Sequence, residues 1–161
     1  MILKQAVLKL AKSLPILAAV AMLFPQPVFA EKCENVVQQL NQQLSSKLDE
    51  HELVAILHAL NASGNTSLPP KFIAKKQAKR LGWRPGSDLW GARQRQGKSI
   101  GGDFFGNYEG RLPKYIRNWR EADLGYTGGR RGAKRLIFSR EGLRYVTVDH
   151  YSTFREVPPC R

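Results

Sequence analysis

The chain has 161 residues, with 26 Lys or Arg against 13 Asp or Glu and a formal net charge of +13. That length supports one domain with its own core and excludes two of ordinary size. So basic a chain is drawn to polyanions, which makes nucleic acid and anionic lipid the partners to weigh.

The first thirty residues belong to no fold. Lys4, Lys9 and Lys12 precede an apolar run of 11 residues, Leu14 to Phe24, and Val28, Phe29 and Ala30 then offer a small-residue cleavage site. This order predicts a secretory signal peptide over 1–30, and the run falls short of the roughly 20 residues that span a bilayer. Removing three lysines and no acid leaves 13 − 3 = +10 on an exported chain. Two cysteines, Cys33 and Cys160, stand near the ends of the remaining chain. In an exported protein such a couple is expected to form a disulfide; the alternative is two free thiols, for which no CxxC spacing speaks.

From Glu34 to Leu60 apolar residues recur at helical steps, Val36, Val37, Leu40, Leu44 and Leu48 first, then Leu53, Ile56, Leu57 and Leu60. Asp49 followed by Glu52 predicts a capping box that restarts a second helix. His51 and His58 lie on it without a third ligand or an HExxH pattern, so they are expected to be exposed helix residues and no metal is expected. A loop over 61–70 leads to a short helix over 73–81, closed by Gly82. One helical turn is expected near Asp88 in the Gly- and Arg-rich stretch that follows. Beyond it the period alternates, and 117–123, 134–139, 143–148 and 151–157 read as strands. Helices first and strands afterwards predict an α+β domain, N-terminal helices packed on an antiparallel sheet. Residues 31–67 form a helical extension and first helix, and 68–161 the functional region, in one domain with 49–67. Trp83 and Trp119 are expected in the core.

The chemistry concentrates in the alternating region. Glu121 stands ten residues before Arg131 and fourteen before Arg135, and His150 follows in TVDHY. A carboxylate that takes a proton, a histidine that gives one and fixed cations between them are the parts for cleaving a phosphodiester without a metal. Alternation puts Trp119, Glu121 and Asp123 on one side of a strand and Arg135, Ile137 and Ser139 on one side of another, but spacing leaves open whether those sides coincide.

Four ordered segments, LPPKFIAKKQAKRLGW (68–83), GKSIGGDFFGNYEGRLP (97–113), WREADLGYTGGRRGAKRLIFS (119–139) and DHYSTF (149–154), resemble the barnase-type microbial guanyl-specific ribonucleases. The resemblance implies the microbial ribonuclease fold and no cofactor. It implies Glu121 as general base toward the ribose 2′-hydroxyl and His150 as general acid toward the departing 5′-oxygen. Arg131, Arg135 and Lys75 would surround the scissile phosphate, Asp123 would support the arginines, and Tyr151 would lie near the substrate. Phe105, Gly106, Asn107, Tyr108 and Glu109 would form the guanine-binding loop, Glu109 accepting from the donor edge of the base.

Within that loop Gly106 stands where the family has a serine and Tyr108 where it has an arginine. The first change is expected to loosen the backbone, and the second removes a cation from the mouth of the site while offering a ring for stacking. The resulting expectation is a secreted, monomeric endoribonuclease that acts on single-stranded RNA with guanine preference, through a 2′,3′-cyclic phosphate. The resemblance also implies a small acidic barstar-type inhibitor as a partner. The alternative is a non-catalytic cationic nucleic-acid-binding protein, which would have no need of a carboxylate at the centre of its basic face. Stable membrane association is not expected, because residues 34–60 lack a basic amphipathic pattern.

Overall fold

A computed structural model describes residues 30–116 and 118–161; apart from Ala30, the expected signal peptide over 1–30 lies outside the described residues. Two helices come first, α1 (Cys33–Gln43) and α2 (Glu50–Ala62). They part where sequence predicts, because the Asp49 carboxylate accepts the Glu52 N–H at 3.0 Å and satisfies a donor that α2 leaves orphaned. Glu52 does not return that bond as a full capping box would. Its carboxylate instead pairs with Lys71 and accepts the Gly125 N–H at 2.5 Å, tying α2 to the segment before the sheet and to a turn within it.

The strands are β1 (Phe72–Ile73), β2 (Ser99–Phe105), β3 (Trp119–Asp123), β4 (Arg135–Phe138), β5 (Arg144–Thr147) and β6 (Arg155–Glu156), with α3 (Lys75–Arg80) between β1 and β2. They form one sheet in sequential order, β1 parallel to β2 and every later neighbour antiparallel. The expected α+β arrangement is therefore the observed one. Several bounds differ from those expected. Ile73 pairs with Ile100 in the sheet, so α3 starts two residues later than its periodicity suggests. The turn expected near Asp88 is a 3-10 turn at Arg93–Arg95; Asp88 instead binds the Trp90 and Gly129 N–H groups and the Tyr126 hydroxyl. The last strand shrinks to β6, because the Asp149 side chain folds 147–153 into a turn.

One face of the sheet packs Ala122, Leu136, Phe138 and Val146 against Val37 and Leu40 of α1 and Leu53, Ile56 and Leu57 of α2. Burying such side chains contributes roughly 1.5–3 kcal/mol each before entropy is counted. The cysteines do pair: the Cys33–Cys160 disulfide closes a sequence separation of 127 and fastens α1 to the chain end. A loop of that length stabilises by about 4–5 kcal/mol in the chain-entropy model. His51 and His58 are exposed, and among the described residues no group of three or more His, Cys, Asp or Glu could hold a metal ion. Among the described residues no helix is long and apolar enough to cross a membrane. The opposite face of the sheet carries a smaller core of Trp119, Ile137, Leu112 and Ile116, and the polar residues of interest.

Candidate active site

In the β3–β4 ladder Glu121 is paired with Ile137 and Asp123 with Arg135. Directly opposite residues of an antiparallel pair point to the same face. The two sides that alternation left unrelated are therefore one side, and it is the face away from the helices.

Glu121 is 5% exposed. An ionised carboxylate so placed needs partners, and it has two: Lys75 Nζ lies 2.6 Å from Oε1 and the Tyr151 hydroxyl donates to Oε2 at 2.7 Å. Burial pushes its pKa up, but the hydrogen bonds from Lys75 and Tyr151 and the charges of Lys75 and Arg131 outweigh it, so the carboxyl sits below its ordinary value. Lys75 opens α3, whose N-cap residue Ala74 has no side chain to cap with. The carboxylate of Asp103 does so from β2, accepting the Lys75 N–H at 2.9 Å, and Asp103 stands opposite Glu121 in the β2–β3 ladder. Sequence reasoning missed Asp103, although an acid inside the apolar stretch 99–105 was a usable signal.

Two residues along β3, Asp123 is almost fully buried and receives both arginines. Arg131 donates to it through Nε to Oδ2 and Nη2 to Oδ1, each at 2.6 Å, and Arg135 Nε forms an ion pair with the same Oδ1 at 2.9 Å. The fork geometry suits carboxylate and phosphate alike. Arg135 is held further by the Gly132 and Lys134 carbonyls, so both guanidiniums are fixed before any substrate arrives.

His150 and Tyr151 occupy consecutive left-handed positions, φ 57° and 71°. Such backbone persists only where neighbours over-determine it. Asp149 provides that: it accepts from the Thr147 hydroxyl at 2.9 Å, the Thr153 N–H at 2.9 Å and the Thr153 hydroxyl at 2.6 Å, and Thr147 in turn accepts the Tyr151 N–H at 3.0 Å. The Thr153 bonds chiefly lower the Asp149 pKa, to about 2. The His150 ring is exposed and lies 5.0 Å from that of Tyr151. Tyr151 stacks on Phe105 at 5.3 Å, and burial with its bond to Glu121 raises its phenol to about 12, which keeps it a donor. Lys75, Glu121, Tyr151 and His150 are thus brought together, with Asp123, Arg131 and Arg135 beside them.

A cavity of about 270 Å³ opens here, lined by Glu121 and Tyr151 together with Gly106, Tyr108, Glu109 and Arg111 of the following loop. Asn107 braces that loop, φ 44°, by accepting the Leu112 N–H at 3.1 Å and donating to the Leu112 carbonyl at 3.0 Å. Gly106 does not take a left-handed conformation; what it supplies is room, because Tyr108 lies over it. Glu109 is exposed and pairs with Arg111 at 2.6 Å. Arg111, which sequence reasoning passed over, also donates to the Ser152 carbonyl in the turn after Tyr151, so a cation remains at the mouth despite Tyr108.

Residues 58–158 match the ribonuclease family. Over 91 residues the chain is 50% identical to a ribonuclease of Heyndrickxia coagulans, covering 56% of this chain and 83% of that protein. It is equally similar to ribonucleases of Bacillus intermedius and Bacillus pumilus, covering 56% of each. A solved structure of ribonuclease Sa2 with guanosine-2'-cyclophosphate aligns with 58% of this chain and 91% of its own, at 26% identity and a TM-score of 0.32. With the matched span running from α2 through the His150 turn, the chain belongs to the ribonuclease family, and its substrate is RNA.

Proposed function

We propose that this ribonuclease is an exported, monomeric endonuclease that cleaves single-stranded RNA 3′ of guanosine without a metal, through a 2′,3′-cyclic phosphate. The observation that carries the reading is the buried, ionised Glu121 held between Lys75 and Tyr151, beside a fixed arginine pair and an exposed imidazole. Glu121 takes the proton of the guanosine 2′-hydroxyl as its oxygen attacks phosphorus. Arg131, Arg135 and Lys75 balance the charge on the phosphorane oxygens. The bond from phosphorus to the 5′-oxygen breaks as His150 gives that oxygen a proton. Hydrolysis of the cyclic product reverses the two roles, with water in place of the departing alcohol.

Lys75 has two partners to serve. In the free protein it clasps Glu121 and lowers its basicity. A bound phosphate competes for the ammonium, which frees the Glu121 oxygen as the proton acceptor at the moment it is needed. DNA lacks the 2′-hydroxyl and is bound without being cut.

Guanine preference rests on Glu109. A carboxylate accepts without donating, which suits the N1–H and amino edge of guanine and no equivalent edge of adenine. Arg111 occupies one carboxylate oxygen, Oε2, and fixes the group's direction. Export is supported by the Cys33–Cys160 disulfide and the segment 1–30, and residues 31–161 are read as one folding unit because α1 shares the main core. The strong positive charge suits a small acidic inhibitor as a protein partner.

Rates on GpU, ApU, CpU and UpU test the specificity. GpU is expected to be cleaved fastest by at least tenfold, with the margin lost in Glu109→Ala; equal rates on all four would remove guanine preference and leave RNA cleavage standing.

A further inference from the structure

Arg111 reaches to both sides of the cavity mouth. Its Nε pairs with the Glu109 carboxylate at 2.6 Å, and its Nη1 donates to the Ser152 carbonyl. Among the described residues, that second bond is the one hydrogen bond from the loop 105–111 to the turn over 149–154. At the root of the loop the link is aromatic, Phe105 meeting Tyr151 at 5.3 Å and Phe154 at 6.2 Å. The far end of the loop reaches the turn through Arg111.

Both partners of this link are stiff. Asn107 bonds the Leu112 N–H and carbonyl, and the Gly110 N–H donates to the Asn107 carbonyl at 2.9 Å, so the loop moves as one piece. The turn holds His150 and Tyr151 in left-handed backbone under the bonds of Asp149. Where loop and turn sit relative to each other is therefore set at Phe105 and at Arg111. The Arg111 and Glu109 side chains are 46% and 72% exposed, and an ion pair so wet adds little to stability. What it fixes is direction: a planar guanidinium offers donors to two acceptors at a set angle, which an ammonium does not.

We propose that Arg111 is a positioning residue that ties guanine recognition to the chemical step, so that guanosine is selected in kcat as well as in KM. The inference rests on the reading of Glu109 as the group that meets the base. With guanine on Glu109, the clasp holds the nucleoside at a fixed offset from the His150 turn and lines up the 2′-oxygen, phosphorus and 5′-oxygen. Without the clasp the base still binds, but loop and turn shift independently and fewer bound molecules are aligned. Adenine makes no such use of Glu109 and has less to lose.

The test measures kcat and KM on GpU and ApU for the parent, Arg111→Lys, Arg111→Gln, Glu109→Ala and the double variant Glu109→Ala with Arg111→Gln. On GpU, kcat is expected to fall roughly 5- to 50-fold in Arg111→Lys and Arg111→Gln alike, with KM within about threefold. The loss on GpU should exceed that on ApU by at least about fivefold. In Glu109→Ala, adding Arg111→Gln should cost little more, because the clasp then has nothing to hold. Unfolding temperatures are expected to stay within about 4 °C of the parent. The Thr153 amide shares a peptide group with the Ser152 carbonyl, so its NMR resonance should move in Glu109→Ala before any ligand is added. Full rescue by lysine, equal losses on GpU and ApU, a loss confined to KM, additive losses in the double variant or an unmoved Thr153 resonance would each overturn the coupling. Equal rates on GpU and ApU in the parent would instead sink the guanine reading, while the ligand-free Thr153 resonance still judges the clasp.

Discussion

Tyr108 occupies the space that a side chain at residue 106 would need: a Cβ there would lie 2.3 Å from Cε2 and 2.4 Å from Cζ of the tyrosine ring. The glycine and the tyrosine, both departures from the barnase-type loop, are thus one structural unit. The ring is 94% exposed, so it rests on the glycine backbone rather than in a core.

Gly106→Ala is therefore expected to displace the Tyr108 ring at little cost in stability, within about 0.5 kcal/mol, since an exposed side chain swings clear. The GpU to ApU ratio of kcat/KM is expected to fall in Gly106→Ala and in Tyr108→Ala. The double variant should match Tyr108→Ala alone, because neighbours that act as a unit are non-additive. Additive losses would show that the two residues act separately.

Asp123 holds two guanidiniums, and Arg135 is only 3% exposed. Removing the carboxylate leaves buried charge uncompensated, which costs about 3–5 kcal/mol. Urea unfolding of Asp123→Ala is expected to show that loss, together with a fall in kcat as the arginines lose their direction. An Asp123→Ala protein of parental stability would mean that the arginine pair is held by its other bonds.

Glu121 titrates below its ordinary value in the folded protein: burial works against ionisation, and Lys75, Tyr151 and Arg131 more than offset it. A depressed folded pKa contributes stability above the unfolded value, near 4.3, and loses it as pH falls through the folded value. The acid limb of the kcat/KM profile is accordingly expected below the range of a free glutamate. Lys75→Ala removes the largest favourable partner and leaves the burial, so the limb should move to higher pH. A pH–rate series on GpU checks this; an unmoved limb would assign it to another group.

Long periodic stretches were legible in the sequence: α1, α2 and strands β3 to β5 lie where helical and alternating patterns place them, because each buries one face. β2 was not, since Gly101, Gly102 and Asp103 have poor strand propensity and the register shift there breaks the alternation. At the site, the pairing of Asp123 with Arg135 needed the ladder, which spacing alone does not supply. Asp103 and Arg111 stayed hidden because their contacts reach Lys75 and Ser152, residues brought near only by the fold. The glycine at 106 was expected to loosen the backbone, and its actual use is steric, a property of where Tyr108 folds.

The most direct measurement is the product formed from GpU in EDTA by the parent protein and by Glu121→Ala, resolved by phosphorus NMR. Guanosine 2′,3′-cyclic phosphate is expected to appear before any 3′-phosphate, at a rate at least 10²-fold lower in the variant. A first product without the cyclic phosphate, or a variant that makes it at the parental rate, would contradict Glu121 as the base for 2′-hydroxyl attack.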